Sequence, residues 1–164
     1  MNTTQLQTTD NWSNIKICTD TIQNDTSANK AVTNNKELLY QYQSIQPYPI
    51  GGVKAYGVAI VCTGKGLLPW KTNEGTILMI QTLYCKEIDG TIISPTTIVE
   101  QNEKEYQGFT NIADCDTGHG TLKLLHRDGV HHVTFPMTQE NGLWFHKYST
   151  SGHHQASITR LNDA

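Results

Sequence analysis

Charged residues of either sign are scarce in this chain. Only 12 Lys and Arg and 15 Asp and Glu occur among 164 residues, which gives a formal net charge of −3. The basic residues are scattered, so the sequence has no cationic patch of the kind that binds a phosphate backbone, and we expect no nucleic-acid partner. Thr, Asn and Gln take the place of charged residues. Because Thr favours strands and Asn favours turns, the composition predicts a β-rich protein.

Long apolar runs are also missing. The longest, such as residues 58–62, are far too short to cross a bilayer, and the polar, Thr-rich start lacks the apolar centre of a secretory signal. These absences predict a soluble, intracellular protein with no membrane partner. No Cys-x-x-Cys pair occurs either, which predicts free thiols rather than disulfides for the four widely spaced cysteines. These are Cys18, Cys62, Cys85 and Cys115.

Short segments rich in β-branched and aromatic residues recur about every ten residues along the chain. Turn signals such as Asp128-Gly129 and Asn141-Gly142 separate them, as is usual between the strands of tight hairpins. Many short strands at this spacing are typical of a barrel or a sandwich. The predicted strands cover residues 15–22, 45–50, 58–68, 76–84, 109–115, 121–126, 131–136, 143–148 and 156–161.

One short helix is predicted to begin at Pro95. Ser94 can cap it, and proline fits the first helical position because its missing N–H has no partner there in any case. A second helical turn is predicted at 35–41. The sequence as a whole predicts an all-β protein, a closed or nearly closed β-barrel with one short helix. We expect one domain at 15–148, with a disordered leader at 1–14 and a tail at 149–164.

Histidine is unusually frequent, and all seven residues follow position 118. His126, His131 and His146 could share one face of a sheet, which makes a metal cluster conceivable. No acidic or cysteine partner lies at a familiar ligand spacing, however, so we expect solvated strand histidines and no metal or other cofactor. A serine hydrolase is not expected either, because the sequence contains no Gly-x-Ser-x-Gly motif.

The tetrapeptide Asp25-Thr26-Ser27-Ala28 is the strongest candidate for a functional site. It follows the strand predicted at 15–22, so Asp25 can present its carboxylate at a turn while a neighbouring hydroxyl ties the loop down. Small residues let backbone N–H groups approach that carboxylate and hold its charge. An ordinary Asx-type turn is the alternative interpretation, and it would carry no function.

Two further features follow this loop along the chain. A glycine-rich hairpin is predicted around Gly51-Gly52, within residues 48–57, and later Ile92-Ile93-Ser94 leads into the predicted helix. The loop, the hairpin and the aliphatic segment in this order resemble the retropepsin-like aspartic protease segment of copia-type retrotransposon polyproteins. The segments at 129–136 and 141–146 are similar to the strands between protease and integrase in such polyproteins.

This resemblance implies a retropepsin-like barrel and an aspartic endopeptidase that cleaves polyprotein peptides as a homodimer. Asp25 would be the catalytic residue of each copy, and Thr26, Ser27 and Ala28 would support the loop. The substrate would bind as an extended peptide under a flap. The flap residues implied are Ile50, Gly51, Gly52 and Val53, and the substrate-pocket candidates are Ile92 and Ile93.

The same resemblance implies the partners and the location. The partners would be a second copy of the chain and a polyprotein peptide, and the protein would act in the cytoplasm or in virus-like particles. The tail at 149–164 would lead towards an integrase region.

Two departures from the family pattern concern the loop. Ser27 occupies a position that is usually glycine, where a side chain is expected to crowd the carboxylate. Gln23 and Asn24 occupy positions that are usually apolar. Two alternatives to an active peptidase follow: a catalytically inactive β-barrel remnant, and a barrel module that binds peptides or metal.

Overall fold

The structure is a computed structural model that describes residues 21–55 and 58–147. The predicted leader and tail, the strand predicted at 156–161 and most of the strand predicted at 15–22 lie outside this part of the chain. Ten strands, one α-helix and one 3₁₀ turn make up the described part, which confirms a mostly β protein with one short helix. The elements are β1 (Ile22–Asn24), β2 (Val32–Thr33), the 3₁₀ turn (Lys36–Leu38), β3 (Tyr40–Ala55), β4 (Val58–Lys71), β5 (Ile77–Tyr84), β6 (Thr91–Ile93), α1 (Pro95–Gln101), β7 (Tyr106–Asp114), β8 (His119–His126), β9 (His132–Glu140) and β10 (Leu143–His146).

All ten strands belong to one sheet, in the order β3-β4-β5-β2-β6-β1-β10-β9-β8-β7. Neighbouring strands are antiparallel except for two parallel pairs, β1 with β6 and β2 with β5. Strands β3 and β7 lie at the two ends and do not pair with each other in the described part, so the sheet is not closed. The prediction of a closed barrel is therefore not confirmed.

The burial pattern differs between the two halves of the sheet. Strand β5 has four consecutive buried residues, Ile77 to Ile80, as expected for a strand covered on both faces. Strands β8 and β9 alternate instead. Leu122 and Leu124 of β8, and Val133 and Phe135 of β9, face the core, and the residues between them are more exposed. One core cluster contains residues from both halves.

Aromatic stacking joins the two halves of the sheet. The rings of Trp70 in β4 and Phe135 in β9 lie nearly parallel, with centroids 3.6 Å apart. Beside them, the Glu74 carboxylate accepts hydrogen bonds from the Thr134 backbone N–H at 2.7 Å and from the Thr134 hydroxyl at 2.6 Å. Because the stack connects β4 with β9, and Glu74 connects the turn between β4 and β5 with the same strand, these contacts fold the β3–β5 part over the β7–β10 part.

Helix α1 follows the central strand β6 directly. Ser94 accepts a hydrogen bond from the Thr97 N–H at 3.5 Å, and Pro95 lies in the first turn, as predicted from the sequence. At the other end, the Asn102 side chain donates to the Ile98 carbonyl at 2.9 Å. No helix in the described ranges has both the length and the apolar character that a membrane crossing requires.

The second predicted helical turn is only partly right. Its 3₁₀ turn ends at Leu38 and is capped by Asn35, whose side chain accepts the Glu37 N–H at 3.1 Å. Tyr40 already belongs to β3 and lies opposite Leu67 of β4. Pairing with a neighbouring strand thus ends the helical segment. Strands β2 and β6, two and three residues long, were not predicted from the sequence.

Replacement of Phe135 by alanine should strongly destabilise the fold. The substitution removes a fully buried ring and its stacking partnership with Trp70, and such a change costs about 3–5 kcal/mol in a well-packed core. Urea unfolding would measure the loss. The control is Leu143→Ala, because that side chain is 47% exposed. An equal loss in both variants would show that the stack does not hold the halves together.

Candidate functional site

Asp25 lies at the end of β1, next to the strand that precedes the helix. The Asp25 N–H donates to the Ile93 carbonyl at 3.0 Å, which extends the parallel pairing of β1 with β6 by one residue. In the same register Gln23 lies opposite Ile92. The structure therefore brings the predicted loop next to the predicted aliphatic segment, although 68 residues of sequence separate Asp25 from Ile93.

The Asp25 carboxylate is held from within its own loop. Ser27 donates twice to the same oxygen, Oδ1: through its backbone N–H at 3.0 Å and through its hydroxyl at 2.7 Å. The Ala28 N–H donates to the Asp25 carbonyl at 3.2 Å, which closes the turn. Asp25 is half-buried, Thr26 is exposed, and no group in the described ranges forms a hydrogen bond to Oδ2.

This geometry has the local form of an Asx turn, and it also presents one carboxylate oxygen that no described residue bonds. Ser27 was expected to crowd the carboxylate, but its hydroxyl forms a hydrogen bond with it instead. Both Ser27 and Ala28 thus form hydrogen bonds to Asp25 within the loop.

The predicted hairpin consists of β3 and β4, which pair over most of their length with three register shifts. Gly51, Gly52 and Val53 lie in the outer part of β3, and the residues at the tip, 56–57, are outside the described ranges. Ile50 is buried in a small cluster that includes Val32 of β2, and Ile92 packs against that cluster. The hairpin therefore packs onto the strands that flank the Asp25 loop.

The two pocket candidates lie in different surroundings. Ile93 is completely buried in the main core, so it serves the site through its carbonyl oxygen rather than its side chain. Ile92 is half-buried and packs against the smaller cluster below the hairpin. Of the two, only Ile92 has side-chain surface that a ligand could reach.

A groove of about 910 Å³ opens beside the loop. Residues 29–31, directly after the loop, form one wall, and strands β3, β4 and β5 and helix α1 form the others. Gln101 of the helix is fixed across this groove because its amide accepts from the Gln81 N–H at 2.8 Å and donates to the Gln81 carbonyl at 3.1 Å. The groove has the size of a small-ligand or peptide site, but Asp25 does not line it.

A buried polar pair lies behind the Asp25 loop. His146 of β10 is 3% exposed, and its Nδ1 lies 2.8 Å from the Pro136 carbonyl. Its Nε2 lies 3.1 Å from the Asn24 side-chain nitrogen. Burial lowers the pKa of His146 to about 4, so the ring is neutral at neutral pH. Sequence analysis did not find this pair, since 122 residues separate its members.

The other histidines of the described part do not converge on a metal site. The rings of His126 and His131 have centroids 6.2 Å apart, whereas His146 is buried among other residues. His131 binds the exposed Asp128 at 2.5 Å, and this bond, together with the Val130 N–H, lowers the pKa of Asp128 well below its ordinary value. Within residues 21–55 and 58–147, no three His, Cys, Asp or Glu side chains are arranged to hold a metal ion.

The three cysteines of the described part are free thiols, in agreement with the prediction. Cys62 and Cys85 are completely buried. Burial, followed by the proximity of Cys85, raises the pKa of the Cys62 thiol to about 12. Because the thiolate is the reactive form, neither residue is suited to nucleophilic chemistry. Cys115 is exposed, and Cys18 lies outside the described residues.

No protein-family model matches this sequence, and neither a curated protein nor a solved structure matches it. The function of the chain must therefore be argued from its own residues, from their geometry and from the order of motifs described above.

The buried His146 should make the protein less stable in mild acid. In the unfolded chain the ring takes up a proton near its ordinary pKa of 6.5, whereas in the folded chain it does so only near 4. The unfolded state therefore binds more protons between these values, and stability falls as pH decreases through this window, by up to about 3 kcal/mol.

Urea unfolding of the natural chain and of His146→Gln between pH 7.5 and 4 would measure this effect. The variant should lose this part of the pH dependence, because glutamine does not titrate. His132→Gln is the control, since His132 is exposed and does not belong to the buried pair. Parallel curves for all three proteins would contradict a neutral buried ring.

Proposed function

We propose that this chain is one half of an aspartic endopeptidase of the retropepsin type, completed by a second copy of itself. The observation that carries the proposal is the Asp25 carboxylate at the end of β1. One of its oxygens is held by Ser27, and the other has no hydrogen-bond partner in the described residues. The order of loop, hairpin and aliphatic segment, which resembles the copia-type protease segment, supports this assignment.

The chemistry requires two Asp25 carboxyl groups across a two-fold axis. Two carboxylates roughly 3 Å apart cannot both ionise comfortably, so the pair shares one proton. The ionised member takes a proton from a bound water, and the resulting hydroxide attacks the peptide carbonyl carbon. The protonated member donates its proton to the carbonyl oxygen. The tetrahedral intermediate then breaks its C–N bond: the amide nitrogen receives the proton that the first carboxyl group took from water, and the second carboxylate takes a proton from a hydroxyl of the intermediate, which becomes the product carboxylic acid.

The elements around Asp25 have roles in this proposal. The β3–β4 hairpin is the flap, and Gly51 and Gly52 give its outer part freedom to move over the substrate. The substrate is an extended polyprotein peptide that pairs with the hairpin by main-chain hydrogen bonds. Thr26, exposed at the loop, bonds to its counterpart across the two-fold axis.

The proposal also includes a nearly closed, retropepsin-like barrel. Two contacts across the sheet support a strong curl. Trp70 of β4 stacks on Phe135 of β9, and the Asn24 side chain of β1 lies 3.3 Å from that of Asn111 in β7, four strands away in the sheet. A metal-binding module is the weaker alternative, because the described histidines and acidic residues form no ligand cluster.

Peptidase activity should depend on Asp25 and on dimer formation. The purified chain is expected to cleave an unstructured polypeptide at mildly acidic pH, with activity that rises with the square of protein concentration at low concentration. Asp25→Asn should reduce the rate by at least about a thousandfold, because an amide cannot accept or share the proton. A pepstatin-like inhibitor should abolish it.

The matched control for this test is Asp116→Asn, an exposed aspartate in the turn between β7 and β8. Its activity should equal that of the natural chain. Cleavage that survives Asp25→Asn would rule out the assignment. A folded chain that cleaves nothing under these conditions would instead favour the inactive remnant.

Ser27→Gly should raise the turnover rate several-fold if the site is active. The Ser27 hydroxyl occupies an acceptor position on Oδ1, and its removal leaves that position open for the catalytic water. The Ser27 N–H bond to the carboxylate is retained by glycine. Steady-state kinetics on one peptide would separate turnover from KM. Ser27→Ala is the control for the loss of the hydroxyl alone, and unchanged turnover in both variants would show that the hydroxyl does not limit the reaction.

A further inference from the structure

The Asn24 side chain, directly before Asp25, uses its NH₂ group to contact three other strands. Its Nδ2 lies 3.1 Å from His146 Nε2 in β10, 3.3 Å from Asn111 Oδ1 in β7 and 3.7 Å from Met137 Sδ in β9. Its Oδ1 is buried and has no hydrogen-bond partner in the described part of the chain. A buried acceptor without a partner is costly and uncommon, so its retention calls for a reason.

The chemistry of the His146 ring fixes the orientation of this amide. The Pro136 carbonyl at 2.8 Å can only accept, so His146 Nδ1 must carry a proton. The ring is neutral at neutral pH, and its Nε2 is therefore a lone-pair acceptor. Only the NH₂ group of Asn24 can satisfy that acceptor. A flipped amide would satisfy Oδ1 only with a protonated Nε2.

The surroundings of the ring favour this neutral form. Trp70 packs against it edge-on, with centroids 4.8 Å apart, and Phe135 lies beyond at 6.0 Å. Neither these two rings nor the Asn24 amide and the Pro136 carbonyl, which bond to the ring, carry a charge. The hydrogen-bond partners of both ring nitrogens thus hold the His146 ring in one tautomer.

Strand β1 depends on such anchoring because it has only three residues. Asn24 is its last residue, paired with Trp144 of β10 on one side and Ile93 of β6 on the other. The bond to His146 adds a side-chain anchor at the point where the chain leaves the sheet and enters the Asp25 loop. An apolar residue at this position could fill the same space, but it could not fix the direction of the chain at the end of β1 through hydrogen bonds.

We propose that His146 and Asn24 form a positioning pair, which fixes the end of β1 and thereby orients the Asp25 carboxyl group without touching the substrate. This inference rests on the proposed function in one respect, the catalytic role of Asp25. It also explains the departure at Asn24: the polar residue replaces an apolar one because its partner is a buried histidine from the far end of the domain.

The first test is the tautomer of His146 in the full chain. Nitrogen-15 NMR at pH 7 should show a protonated Nδ1 and an unprotonated Nε2, whereas a solvent-exposed histidine favours the opposite tautomer. His132, which is exposed, is the internal reference. A protonated Nε2 on His146 would overturn the proposal, because Asn24 could then not donate to it.

The second test follows the amide hydrogen of Asp25, which is bonded to the Ile93 carbonyl. Asn24→Leu removes the unpaired Oδ1 together with the bond to His146, and it leaves His146 Nε2 without its donor. It should accelerate exchange of the Asp25 amide about tenfold while the Leu124 amide in the core exchanges as before. Gln23→Leu, on the other face of the same strand, is the matched control and should leave the Asp25 amide unchanged.

His146 variants separate positioning from general stability. His146→Leu should accelerate Asp25 exchange as Asn24→Leu does. His146→Gln should restore protection, because its amide can donate to the Pro136 carbonyl and accept from Asn24. Equal acceleration at Asp25 and Leu124, or no acceleration at Asp25, would each overturn the proposal.

These measurements do not need an active enzyme, so they distinguish the failure of this inference from the failure of the proposed function. If the natural chain has peptidase activity, Asn24→Leu should lower turnover with little change in KM, since the substrate contacts remain. Unchanged turnover would contradict a positioning role of the pair, even if the His146 tautomer is as expected. An inactive natural chain would refute the peptidase, and exchange at Asp25 would still decide whether the pair holds the loop.

Discussion

The short strand β6 is the constraint on which the site depends. It has three residues, and both of its edges are paired, with β1 in parallel and with β2 in antiparallel orientation. Because the Asp25 loop connects β1 to β2, its two ends are fixed on opposite sides of β6. The hydrogen bond from the Asp25 N–H to the Ile93 carbonyl continues this arrangement into the loop itself. Any displacement of β6 would therefore move both ends of the loop, as well as the start of helix α1.

Polar groups are buried around this centre, and most of them are paired. The hydroxyls of Thr33 in β2 and Thr91 in β6 lie 2.8 Å apart in the core, and His146 binds both Asn24 and the Pro136 carbonyl. In a low-dielectric interior such bonds are strong and directional, so they restrict the strands to one register more firmly than apolar contacts do. The apolar core and the Trp70–Phe135 stack supply the compactness, whereas these polar contacts fix the strands that carry the loop.

Sequence patterns predicted most of strands β4, β5 and β8 and the helix start, because each is encoded locally, whereas of the sixteen-residue β3 they predicted only 45–50. Strands β4, β5 and β8 have apolar residues bounded by turn signals, and Ser94-Pro95 is a local helix signal. Strands β2 and β6 could not be predicted in this way, since segments of two and three residues acquire their conformation from neighbouring strands. Ile92 and Ile93 were pocket candidates only through a resemblance, and the structure places the Ile93 carbonyl against the Asp25 N–H. The pair of Asn24 and His146 carried no sequence signal, because no local pattern connects residues 122 positions apart.

The two hydrogen bonds from Ser27 to one carboxylate oxygen restrict which oxygen of Asp25 is open to a ligand. An sp² oxygen accepts about two hydrogen bonds, and the Ser27 N–H and hydroxyl supply both to Oδ1. In the proposed reaction, only Oδ2 then remains to share a proton with a second carboxyl group and to hold the attacking water. In a symmetric pair the two Oδ2 atoms must therefore face each other across the axis, with the water placed between them and the substrate carbonyl. A loop with glycine at position 27 leaves one acceptor position of Oδ1 open as well, so the serine would make the proposed site more restrictive without removing the carboxyl group on which the proposed reaction depends.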